Sequence, residues 1–124
     1  MANSIIILTN QEKLTYTGAK HKGDGYYGYS DGLHTVSFHV SNFIGRIYLQ
    51  ATLVEVPTEA DWFDIELTLT TPYIEFATQI TKTEGASFTG NFVWVRGKVD
   101  RDHLVASDYV AATHGRLEKI VLVI

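Results

Sequence analysis

Polar and apolar positions alternate with a period of two along most of the chain. In 46–54, Ile47, Leu49, Ala51 and Leu53 share one face, and Arg46, Tyr48, Gln50 and Thr52 the other. That is the pattern of a half-buried strand in an antiparallel sheet. Residues 62–69 repeat it, with Phe63, Ile65, Leu67 and Leu69 inward. Residues 73–81 place Ile74, Phe76 and Ile80 inward, and 33–40 alternate Val36, Phe38 and Val40 with Thr35, Ser37 and His39. Segments 87–99 and 117–124 are more continuously apolar, which predicts central strands covered on both faces. With opening strands over 4–9 and 14–17, the total is about eight.

Turn signals at Asn42–Gly45, Val56-Pro57-Thr58, Thr71-Pro72 and Glu84-Gly85 separate these strands. No segment sustains a 3.6-residue period; 101–113 is a weak helical candidate, and no helix is expected within 46–81. The prediction is an all-β fold, an antiparallel β-sandwich, jelly-roll-like, in one domain over 1–124. Ile47, Leu49, Leu53, Phe63, Ile65, Leu67, Ile74, Phe76 and Val93 are its expected core. The apolar 121–124 end predicts a paired strand.

A length of 124 residues suits one domain. The chain has no cysteine, which excludes disulfides, thiol catalysis and cysteine-ligated zinc. Neither a signal-peptide pattern nor a 20-residue apolar run occurs, so a product made in the cytoplasm, without a membrane partner, is expected. The net charge of −4 argues against nucleic acid as a partner. That charge is uneven: Glu55, Glu59, Asp61, Asp64 and Glu66 fall in one stretch without a base. The stretch is either a solvated face or a docking surface for a basic partner, with Glu59 and Asp61 as candidate contacts.

Residues 18–32 hold five of the ten glycines and three of the seven tyrosines, and predict a loop closing as a hairpin at Asp31-Gly32. Glycine lets backbone approach a partner closely, and tyrosine supplies rigid contact area, so Tyr26, Tyr27 and Tyr29 are candidate contact residues. Carbohydrate-binding sandwiches also use exposed rings. Trp62, on the polar side of its strand, is a further candidate for either ligand, whereas Trp94 is expected in the core.

Two motifs match in letters and fail in context. Gly23-Asp24-Gly25-Tyr26-Tyr27-Gly28 fits a dinucleotide fingerprint, and Gly28-Tyr29-Ser30-Asp31-Gly32 fits a nucleophile elbow. Both need a helix to follow, and a strand pattern follows instead. His34 and His39 are five apart on one strand and so point to opposite faces. Asp100-Arg101-Asp102-His103 lacks the glycine and glutamate of a calcium loop and reads as a turn capped by aspartate. No catalytic, metal or cofactor-binding residue is expected, and the chain reads as a non-enzyme.

The run Gly25–Phe38 (GYYGYSDGLHTVSF), the segments FIGRIYLQATL (43–53) and PTEADWF (57–63), GNFVWVR (90–96) and the closing GRLEKI (115–120) carry a resemblance. Over about residues 25–124 the chain resembles small virion structural proteins of tailed bacteriophages, of the T4-like type found in marine cyanophages. The resemblance implies a structural part of head, neck, baseplate or fibre, localised to the virion, and no active site. Its implied partners are other virion proteins or copies of itself. A carbohydrate-binding, receptor-binding module is the alternative, with a glycan as partner.

Overall fold

A computed structural model describes residues 4–11, 15–23, 33–68, 70–101 and 110–123. Eight antiparallel strands form one curled sheet: β1 (Ser4–Gln11), β2 (Thr15–Thr17), β3 (His21–Lys22), β4 (Leu33–Thr52), β5 (Phe63–Asp64), β6 (Tyr73–Thr89), β7 (Trp94–Asp100) and β8 (Arg116–Val123). The all-β, eight-stranded expectation therefore holds. β7 and β8 are central, as expected: β8 lies between β1 and β4, and β7 between β4 and β2. The strand expected over 87–99 is divided, because 87–89 end β6 and 90–93 are not strand.

The spine is β4, 20 residues long. One edge pairs with β6 from Leu33↔Thr89 to Tyr48↔Tyr73. The other edge is divided: Thr35–Ser41 pair with β8, and Arg46–Thr52 pair with β7. The sheet thus forks between residues 42 and 45, and the two arms are two layers joined through β4 and β6. Gly97 on β7 lets the layers close on one another. A Cβ there would lie 2.7 Å from Ile120 of β8 and 3.3 Å from Leu8 of β1.

The fork corrects a predicted turn. Asn42–Gly45 does not reverse the chain; β4 runs through it with one extra residue relative to β6 between Val40 and Phe43. That bulge takes Asn42 to φ 49° and flips the side-chain phase. Val36, Phe38 and Val40 are buried before it, and Phe43, Ile47, Leu49 and Ala51 after it. Asn42 carries residue chemistry that suits a turn and a left-handed bulge equally. Its displaced backbone groups are satisfied from β6, by Thr81 Oγ1 accepting from the N–H at 3.0 Å and Gln79 Nε2 donating to the carbonyl at 3.2 Å.

Arg101 fills the fork at 1% exposure. Its Nε donates to the Ile44 carbonyl at 2.7 Å, one terminal nitrogen donates to the carbonyls of His114 and Gly115 at 3.2 Å each, and the guanidinium lies 4.3 Å from the Phe43 ring centroid. A buried cation is tolerable only when its donors are satisfied in this way. A helical turn, Ala111–His114, precedes β8, and Gly115 closes it at φ 65°. Predicted as part of a weak helix over 101–113, the helical structure described there is this single turn. Of the expected aspartate-capped turn, Asp102 and His103 lie outside the described residues.

Among the expected core residues, Ile47, Leu49, Ile65, Leu67, Ile74 and Phe76 are buried and Val93 is half-buried. Leu53 and Phe63 are not core, at 64% and 42% exposure. The alternation of 46–54 outlasts its strand, because β4 ends at Thr52 and Leu53 leaves the sheet. Phe63 pairs with Ala51 in a two-residue strand, 65–68 belong to no strand, and Leu69 lies outside the described residues. Ile80 has the inward parity but is 38% exposed, because β6 carries two extra residues between Phe76 and Ile80 where the sheet bends. The expected turn at Glu84-Gly85 is likewise regular strand, opposite Phe38 and Ser37. Segment 46–81 is not helix-free: a 3₁₀ turn spans Glu59–Asp61. His34 is buried and His39 half-buried on opposite faces, as their spacing requires.

Candidate contact surface

Beyond Thr52 the chain leaves the sheet and returns at Phe63, so residues 53–62 form a projecting segment beside the end of β7. Three features fasten it. Thr58 and Asp61 make a capping box around the 3₁₀ turn: the Asp61 carboxylate accepts from the Thr58 N–H at 2.7 Å and from its hydroxyl at 3.1 Å. The Trp94 indole N–H donates to the Glu55 carbonyl at 2.9 Å. Arg96, 8% exposed, meets Glu59 with both terminal nitrogens at 3.2 and 2.9 Å, while its Nε donates to Gln50 Oε1 at 2.9 Å.

The guanidinium also lies 4.1 Å from the centroid of the Trp62 ring. A planar fork can stack on an indole and hold a carboxylate at once, which a lysine cannot do. Hydrogen bonding from Arg96, together with its charge, holds the Glu59 carboxyl below the usual glutamate range. Next along the same edge, Gln50 Nε2 donates to Asp64 at 2.9 Å.

The structure therefore brings Glu59, Asp61 and Trp62 together, but not as a free acidic face. Glu59 is spent on Arg96 and Asp61 on its own turn. Alongside its acids the segment offers apolar side chains to solvent. Leu53, Val54 and Val56 are 64%, 41% and 82% exposed, and Phe63, where the chain returns to the sheet, is 42% exposed while packing edge-on against Phe92 at 5.7 Å. Glu55, Asp64 and Glu66 are exposed along the same segment. Water-facing apolar side chains are common singly; four within eleven residues, on a fastened segment, make this the candidate contact surface.

Of the loop expected over 18–32, residues 18–23 are described and include the short strand β3; Tyr26, Tyr27, Tyr29, Ser30, the Asp31-Gly32 hairpin and, apart from Gly23, the glycine motifs lie outside the described residues. Trp94, expected in the core, is half-buried and acts as a clamp, with the Lys20 ammonium 4.5 Å from its ring centroid. Arg96 and the apolar group at 53–56 carry no site role in the sequence reading. Two signals mark them: the cations Arg96 and Lys98 within an otherwise apolar strand of a chain that concentrates five acids elsewhere, and the break of alternation at Leu53-Val54 ahead of Pro57.

No family model matches the chain, and no curated protein matches it. One solved structure does. It is the crystal structure of the SPBc2 prophage-derived protein YomS, 15% identical, with a TM-score of 0.58 over 99% of this chain and 92% of that one. At that identity the likeness is one of fold.

Proposed function

We propose that this chain is a non-enzymatic structural protein of a phage particle, acting through the surface formed by residues 53–66. The carrying observation is the exposed group Leu53, Val54, Val56 and Phe63 on a segment fastened by Arg96 and Trp94. The sequence resemblance and the prophage origin of a protein with this fold support the phage setting. The partner fitted by the surface is a neighbouring virion protein with an apolar centre and a basic rim. A two-fold contact of this surface with itself would set Glu55, Asp64 and Glu66 against their own copies, a like-charge arrangement that costs binding energy.

Protein fits better than sugar as the ligand. The Trp62 ring has a guanidinium stacked on it and the Trp94 ring an ammonium, which leaves each at most one face for a pyranose and both half-buried. The test is a mass-spectrometric inventory of purified particles alongside a glycan array. Stoichiometric presence in particles with no glycan bound is the expected result. Glycan binding with absence from particles would overturn the assignment.

A further inference from the structure

The strand β6 is 17 residues long and pairs only with β4, so among the described residues its outer edge carries no strand. Residues 77–83 are exposed throughout, and no proline interrupts 73–89. An edge of this length presents a row of N–H and C=O groups that templates a further strand. Natural sheets blunt such edges with charge, and β6 does carry Lys82 and Glu84, joined to each other at 2.6 Å. Their spacing decides what the charges do.

We infer that the free edge of β6 pairs antiparallel with the same edge of a second copy of this chain, about a two-fold axis at Thr83. In that register Lys82 lies opposite Glu84 of the partner subunit, and Glu84 opposite the partner's Lys82. The pattern that would repel most strands is complementary to itself. Ile80, 38% exposed in the single chain, lies opposite the partner's half-buried Ala86 and on the same face. The register spans 80–86 and centres on Lys82–Glu84, within the stretch from Lys82 to Thr89 that pairs to β4 without a shift; Ile80 lies just beyond that stretch, opposite Phe43 past the β4 bulge. The bulged stretch between Phe76 and Ile80 stays outside it. Both sheets then join into one across the axis. The occupant is a second copy because the charge order of the edge is its own complement.

Mass photometry and sedimentation of the purified chain test this directly. Wild type is expected to dimerise. Lys82→Glu alone and Glu84→Lys alone each put like charges in both cross-copy pairs and raise the dimer dissociation constant about tenfold or more. Mixing the two variants restores opposite charges in both pairs, so a heterodimer forms from two weakly associating parents. Both positions are partly exposed, and circular dichroism checks that each variant folds. Because the chain has no cysteine, Thr83→Cys gives a second readout. Opposed strand residues sit within disulfide reach, so oxidation is expected to give a covalent dimer, while Ser87→Cys stays uncrosslinked. A monomeric wild type, or variants that dimerise as wild type does, or a mixture that gains no heterodimer, would each overturn the pairing. None of these results depends on whether the 53–66 surface binds a virion protein.

Discussion

Arg96 couples the most different physical terms. Its guanidinium stacks on Trp62, forks onto Glu59 and holds Gln50. Arg96→Lys keeps the charge and loses the fork and the stack, so urea denaturation is expected to show a loss of about 1–2 kcal/mol. Hydrogen exchange at 58–62 quickens in the same variant; unchanged exchange there would separate Arg96 from the segment. The Glu59 contact is pH-dependent with a definite sign. Its folded carboxyl titrates lower than the unfolded one, so its stabilisation is complete above the ordinary glutamate range and is lost as pH falls through the lower, folded value. Urea midpoints of wild type and Glu59→Gln should differ at neutral pH and converge in acid; a constant gap would contradict this. The core assignments separate equally clearly. Ile47→Ala, at a position with 0% exposure, is expected to cost about 2–5 kcal/mol, whereas Leu53→Ala should stay within about 0.5 kcal/mol.

At the scale of elements, the fork in the sheet carries the architecture. Gly115 approaches the Asn42 bulge so closely that a Cβ would lie 2.0 Å from the Asn42 carbonyl oxygen, and its φ of 65° already disfavours a side chain. Gly115→Ala is therefore expected to cost about 3 kcal/mol or more, read by thermal denaturation, because backbone must move. Asn42→Gly keeps the left-handed bulge accessible and should change stability by less than about 1 kcal/mol. Equal effects would mean that the bulge and Gly115 are not one packed unit. The strands were legible in the sequence because burial on one face forces alternation: 33–40 and 46–52 are both read with the correct inward residues. Their union into one strand was not legible, since an even-to-odd change of phase fits a turn and a one-residue bulge alike. Leu53 and Phe63 were misassigned because alternation reports parity and not where a strand leaves its sheet. The fork residue Arg101 was hidden because its partners are the backbone carbonyls of Ile44, His114 and Gly115, far apart in sequence.

At the scale of the molecule, two surfaces of different character sit on one rigid sheet. The β6 edge offers backbone and self-complementary charge, suited to a second copy. The 53–66 segment offers apolar side chains among Glu55, Asp64 and Glu66, suited to a different protein. Such a division lets a small chain join its own kind and a neighbour without the two contacts competing. The run of acids drew the sequence reading to this segment, where Glu55, Glu59, Asp64 and Glu66 do face water; the exposed apolar residues between them were not read as contacts. The measurement that bears most directly on the account compares wild type with Leu53→Ser/Val56→Ser, reading melting temperature and incorporation into particles on the same preparations. The expected result is a melting temperature within a few degrees of wild type and incorporation largely lost, because the removed contacts exist only in the assembly. Undiminished incorporation with a sharply lowered melting temperature would mean that these residues hold the chain's own fold, and the contact surface would lie elsewhere.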